Sequence, residues 1–236
     1  MLKSKWLTPL LAATMTLVPT AANAAVWSSS AQYGSYSIGS YHWNNDEWGS
    51  GHGPQTIWVN STSNWGVWSQ QPNTGGIKSY PDESIYFGRN INSMNTLTSS
   101  WNQSTPGYGV WDAAYDVWDS NNSHEIMIWT NWMGAKPISY NWDSSGNPVP
   151  RNYNVCVGNG CWNVYLGTNG SNQVLSFLRT SKTNNSSVDI KALLKWAESQ
   201  GIFGNLYIGN VEYGVEISST NNTGTNFGFT NYFTWN

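Results

Sequence analysis

Residues 124–132 read HEIMIWTNW, and the alternation within them decides the fold. Successive side chains of a strand point to opposite faces. Read as a strand, the stretch puts Ile126 and Ile128 on one face and Glu125, Met127 and Trp129 on the other. Two isoleucines on one side mark a core face. The other side sets a carboxylate beside a thioether and an indole. A buried unpaired charge is costly, so Glu125 is paired, neutralised or set in a wet cleft.

The same alternation continues outward in both directions. QTIWVNS (55–61), SIYFG (84–88), VWDAAYDVW (110–118), WNVYLG (162–167), QVLSFLRT (173–180) and VEYGVEI (211–217) are short runs separated by Gly, Asn, Ser and Pro. Many short strands between turn signals predict an all-β sandwich or barrel. Alternation, rather than solid apolar blocks, favours antiparallel sheets with one face inward. One segment departs from this period. In SSVDIKALLKWAESQG (186–201), Ile190, Leu193, Leu194 and Ala197 recur at helical spacing, with Ser187 to cap the start and Gly201 to end it. The reading is one amphipathic helix packed on the outside of the sandwich, with Trp196 at the edge of its apolar face.

The first 24 residues read as a separate unit. Lys3 and Lys5 precede a largely apolar run over 6–18, and Ala22-Asn23-Ala24 offers a small-x-small cleavage site. This is the pattern of a secretory signal peptide. Its apolar core is shorter than the ~20 residues of a membrane span. Residues 25–236 then form a single catalytic domain, exported, free of the membrane after cleavage, and expected to be a monomer. No Pro/Ser/Thr-rich linker divides it. The two cysteines, Cys156 and Cys161 in VCVGNGC, read as a local disulfide closing a loop, which suits an exported chain.

Charged residues make up only 10% of the chain, whereas it holds 16 Trp and 13 Tyr. A nucleic-acid partner would call for a basic patch, and the balance here is acidic, with a net charge of −3. A surface polar without charge and rich in flat rings suits an uncharged polar ligand, with carbohydrate the foremost candidate. His42, His52 and His124 are scattered and form no metal-ligand spacing, and no G-x-S-x-G elbow is present, so neither a metal nor a cofactor is expected.

Thirteen acidic residues allow elimination. Asp46, Glu47, Asp82, Glu83, Asp119 and Asp143 sit among turn residues and are read as solvated. Asp189 falls in the first helical turn, where negative charge suits the dipole; Glu198 lies near the exposed far end. Asp112, Asp116, Glu125, Glu212 and Glu216 remain, all in strand-like runs. Gly214 and Ala114 would leave room for a ligand beside Glu216 and Asp116. Two carboxyls across a cleft suit glycoside hydrolysis, one as acid and the other as nucleophile or base.

These residues resemble glycoside hydrolase family 12 endoglucanases along essentially the whole mature chain. EIMIW (125–129) is similar to the family's nucleophile strand, GVEI (214–217) to its acid/base strand, and AYDVW (114–118) to the strand whose aspartate contacts the nucleophile. KSYP (78–81), WNVYLG (162–167) and the helix after VDI (188–190) are further landmarks. The resemblance implies a jelly-roll β-sandwich of two antiparallel sheets with a concave substrate cleft, and retaining cleavage of β-1,4-glucan. It assigns the nucleophile to Glu125, the acid/base to Glu216 and support to Asp116. Trp48, in NNDEWGS, resembles the sugar-stacking tryptophan, with Asn44 or Asn45 placed to hold a hydroxyl and Asp46-Glu47 carrying one extra residue. Met127 and Trp129 would line the cleft, and TNWMGAKPIS (130–139) would cross it. A xylanase or xyloglucanase on the same type of fold, and a non-catalytic carbohydrate-binding module, are the competing readings.

Overall fold

The computed structural model describes residues 25–236; the signal peptide expected at 1–24 lies outside them. The strands, in chain order, are β1 (Trp27–Ser29), β2 (Ser35–Ile38), β3 (Tyr41–Asn44), β4 (Gln55–Ser61), β5 (Asn64–Ser69), β6 (Asp82–Asn90), β7 (Leu97–Ser104), β8 (Val110–Asp119), β9 (His124–Met133), β10 (Asn152–Val157), β11 (Gly160–Thr168), β12 (Gln173–Arg179), β13 (Asn185–Asp189), β14 (Tyr207–Ser219) and β15 (Thr225–Trp235). One helix, α1 (Ile190–Ser199), lies between β13 and β14. Six strands form one sheet in the order β1-β4-β5-β15-β7-β13, and nine form the other in the order β10-β11-β12-β9-β8-β14-β6-β3-β2.

The core lies between the sheets. Ile126 and Ile128 join it, as the alternation predicts, with Val117, Tyr115, Val211 and Tyr213 from the neighbouring strands and Phe227, Phe229 and Phe233 from the opposite sheet. Tyr115 stacks on Tyr213 at 4.3 Å, and both meet β15 phenylalanine rings edge-on. A smaller apolar cluster covers the other face of the nine-stranded sheet, built from Ala114, Met127, Trp129, Tyr165, Val174 and Leu178. Ile138, from the loop after β9, packs onto that cluster and raises a wall there.

Several expectations are corrected. The larger sheet is not wholly antiparallel: β12 runs parallel to β9, from Gln173 opposite His124 to Leu178 opposite Trp129. The chain leaves β9, fills the sheet edge with β10 and β11, and returns in the original direction, the long crossover a parallel pair requires. Ser187 does not cap the helix, because it is paired with Ser100 in β13. Pairing persists to Asp189, whose carboxylate accepts the Ala192 N–H at 2.9 Å as the N-cap. The helix itself packs as its spacing predicts, with Ile190, Leu193, Leu194 and Ala197 buried against the core, and Trp196 meets Phe177 edge-on.

The acidic residues read as solvated turns are mostly buried. Asp82 and Glu83 open β6, Asp119 closes β8, and Glu47 is covered, leaving Asp143 exposed as expected. Turn-forming neighbours hid strand ends. Glu83 sits on the core face beside Trp43 and Tyr213, where it accepts the Asn231 side-chain amide of the opposite sheet at 3.1 Å. Cys156 and Cys161 are bonded across the β10–β11 hairpin, as the spacing suggested.

Candidate active site

Cross-strand register builds the site on the face of the nine-stranded sheet that the main core leaves free. One row of partners runs Tyr165, Ser176, Met127, Asp116, Glu212, Ser84 and His42 from β11 to β3. The adjacent row sets Glu125 between Val174 and Trp118. Further along β14, Glu216 lies opposite Asp112. Over these rows opens a cleft that brings together all six residues expected there: Glu125, Glu216, Asp116, Trp48, Met127 and Trp129.

Met127 and Trp129 are almost wholly buried and form the cleft floor, while Trp48 is 51% exposed and stands as a free ring at the rim. That exposure excludes a core role for Trp48. Its loop is held from beneath: Lys78 Nζ donates to the Ser50 and Gly75 carbonyls, and the Asn45 side chain donates to Glu47 Oε1 at 2.7 Å. Asn45 is fully buried in this network, so its side chain serves the loop and does not reach a sugar. The extra residue before Trp48 is accommodated at Asp46, whose φ of 34° is positive, and which lines the cleft.

Three cleft groups, Asn169, Tyr80 and Asp46, were not singled out from sequence. Asn169 donates to Glu125 Oε2 at 3.0 Å, while its own Oδ1 accepts the Ser171 and Asn172 N–H groups. Its orientation is thereby fixed. Tyr80, also on the cleft wall, donates to the Ala114 carbonyl at 3.2 Å. Asp46, read as solvated, adds a carboxyl to the wall, as does Glu212, one of the five strand carboxyls retained from sequence. Nothing in TNGSN distinguishes Asn169 from any turn asparagine. Tyr80 was legible only as part of the KSYP landmark.

The small residues do not open space as expected. A Cβ on Gly214 would lie 2.3 Å from the Pro81 carbonyl oxygen, so this glycine admits the chain entering β6. Ala114 is fully buried in the cleft-floor cluster.

The electrostatics follow from burial without compensation. Lys136 is the only Lys or Arg among the described residues lining the cleft, and its ammonium is engaged by Gly146 and Asn147. Burial pushes the Glu125 carboxyl up to about 7, opposed by the Asn169 hydrogen bond. Burial, then the charge of Glu125, raises Glu216 to about 7, opposed by a hydrogen bond from Asp112. Burial, then Asp46, raises Glu212 to about 7. Asp116 is held well above the ordinary carboxylate range by burial and then by Glu125. Such a cluster keeps several protons near neutral pH, and its titration belongs to the group rather than to single residues. Asp116 Oδ1 and Trp129 Nε1 have no partner within the protein, leaving polar capacity under the cleft.

A β-sandwich whose open cleft combines paired carboxyls, an aromatic floor and one exposed ring at the rim has the arrangement of a carbohydrate-cleaving hydrolase. The profile of glycosyl hydrolase family 12 matches residues 34–234, and the chain belongs to that family. A probable xyloglucan-specific endo-β-1,4-glucanase A of Aspergillus fumigatus is 33% identical over 208 residues, covering 81% of this chain and 84% of that protein. The xyloglucanase domain of NopAA, an effector of Sinorhizobium fredii solved with cellobiose, is 50% identical with a TM-score of 0.87, covering 90% of this chain and 100% of that one. Endoglucanase 3 of Trichoderma harzianum is 25% identical with a TM-score of 0.69, covering 88% and 97%. The jelly-roll fold and the reading as a glycoside hydrolase of the endo-β-1,4-glucanase type stand; the binding-module alternative does not.

Proposed function

We propose that this protein is an exported, retaining endo-β-1,4-glucanase in which Glu125 is the nucleophile and Glu216 the acid/base. The observation that carries the reading is the single cleft lined by both glutamates, with Asp116, Met127 and Trp129 around them and Trp48 at its rim. In the first step a Glu125 oxygen bonds to the anomeric carbon. The glycosidic bond breaks, and the Glu216 proton passes to the departing oxygen. In the second, Glu216 takes a proton from water as its oxygen attacks the same carbon, releasing Glu125. The raised pKa of Glu216 supports its starting protonated.

The substrate is a β-1,4-glucan backbone, and the relatives named above favour xyloglucan as the form taken best. Trp48, 51% exposed at the rim, offers a sugar-stacking face. Reducing-end release from xyloglucan, carboxymethyl-cellulose, mixed-linkage β-glucan and xylan, measured side by side, tests this. Fast release from the glucans with little from xylan is expected. Release mainly from xylan, or none from any, overturns it. The first product anomer, followed by proton NMR, is expected to be β; an α product contradicts retention.

A further inference from the structure

β8 carries Asp112, Ala114 and Asp116 on the cleft face, and β14 carries Glu212, Gly214 and Glu216 there. Their antiparallel register sets Asp116 opposite Glu212, Ala114 opposite Gly214 and Asp112 opposite Glu216. Directly opposed residues have Cβ atoms about 4.5–5.5 Å apart, and like charges at that position repel. Each carboxyl pair therefore holds at least one proton near neutrality.

Asp112 differs from the other three. It is 2% exposed and does not line the cleft, and its Oδ1 is buried without a partner. Its partner on the β9 side is Trp132. The ionisable groups acting on it are Glu216 from β14 and Glu125 from β9, with Asp116 further along β8. No cation faces it among the described residues, and Glu216, which it does face, is acted on by Glu125 as well. A carboxyl enclosed in this way, with only other carboxyls near it, is the neutral member of its pair. The register sets the Glu216 carboxyl directly opposite it, as the acceptor for its O–H.

We propose that Asp112 is a positioning residue for Glu216, a neutral carboxyl whose O–H donates to the Glu216 carboxylate formed when the leaving oxygen takes its proton. The inference rests on the assignment of Glu216 as acid/base. No covalent bond changes at Asp112. It keeps its proton throughout, while the Glu216 proton leaves in the first step and is regained from water in the second. The donated hydrogen bond stabilises the carboxylate form, which makes Glu216 a stronger acid when the glycosidic bond breaks and fixes its aim into the cleft.

The test compares Asp112→Asn, which keeps shape and an N–H donor, with Asp112→Ala, which keeps neither, in kcat against pH on β-glucan. Asn is expected to keep kcat within about threefold and leave the alkaline limb in place. Ala is expected to lower kcat about tenfold or more at little change in KM and to move the alkaline limb up by about one unit, the size of one hydrogen bond to a charged group. On an aryl cellobioside whose leaving group needs no protonation, the Ala deficit in the first step is expected to vanish, which a loss of folding would not produce. An Asn variant whose alkaline limb moves down shows Asp112 acting as a charge and overturns the inference. So does an Ala variant with unchanged kcat and limb; if Ala does not fold, the Asn profile alone decides. Glu216→Gln separates the underlying assignment: glucan turnover retained there removes Glu216 as acid, whatever the Asp112 variants do.

Discussion

At the scale of single residues, the function rests on carboxyls whose charge is set by one or two neighbours. As the proposed nucleophile, Glu125 must be ionised to attack, and Asn169 supplies the hydrogen bond that favours that form. Asn169→Ala is therefore expected to raise the Glu125 pKa further above about 7 and to move the acidic limb of the kcat profile to higher pH. An acidic limb left in place would show the contact to be incidental. Glu125→Gln, nearly isosteric, is expected to lower kcat on glucan by about 10³-fold or more with the thermal transition retained. Trp48→Ala is expected to raise KM about tenfold with kcat little changed, since a stacked ring contributes on the order of 1 kcal/mol. Alternation alone made Glu125 and Glu216 legible as candidates, because their strands read cleanly. Asn169 was not legible, since its role depends on a turn folding back over β9, and local sequence does not state what a turn meets.

At the scale of elements, β6 is where the sequence misled. PDES reads as turn chemistry, yet Asp82 and Glu83 are paired with Gly214 and Tyr213 of β14 and are buried. The burial of Glu83 has a measurable consequence. Burial raises its pKa from the usual carboxyl value to about 8. In the folded state the proton is held above the unfolded pKa, so this contribution is fully present below about 4.5 and is lost as pH rises through about 8. Glu83→Gln keeps a group able to bond Asn231 and removes the titration. Its melting temperature is expected to fall less than the wild-type value between pH 6 and 9; equal declines would place the pH dependence elsewhere. Gly214→Ala is expected to destabilise, because its Cβ would meet backbone at Pro81 rather than open cleft. The glycine was legible as a mark of close approach, but the identity of what approaches was not. The helix was located correctly, and only its first residue shifted, because β13 pairing overrides a local capping preference.

At the scale of the whole molecule, two facts lie beyond any window of sequence. One is the strand order, which makes β8 the shared neighbour of β9 and β14 and so gathers Asp112, Asp116, Glu125, Glu212 and Glu216 onto one surface. The other is the parallel docking of β12 on β9, which completes the floor with Val174 and Leu178. Fold class and the proposed reacting pair could be read from strand period and motif, whereas the coupling among carboxyls is a property of register across three strands. The most direct test of the central claim is a trapping experiment. A 2-fluoro cellobioside with an activated leaving group slows release of a covalent glycosyl-enzyme, and peptide mass mapping then locates the sugar. The label is predicted on the peptide containing Glu125, at that residue. Attachment at Glu212, Glu216 or another carboxyl, or turnover with no covalent label and an α product, would contradict the account.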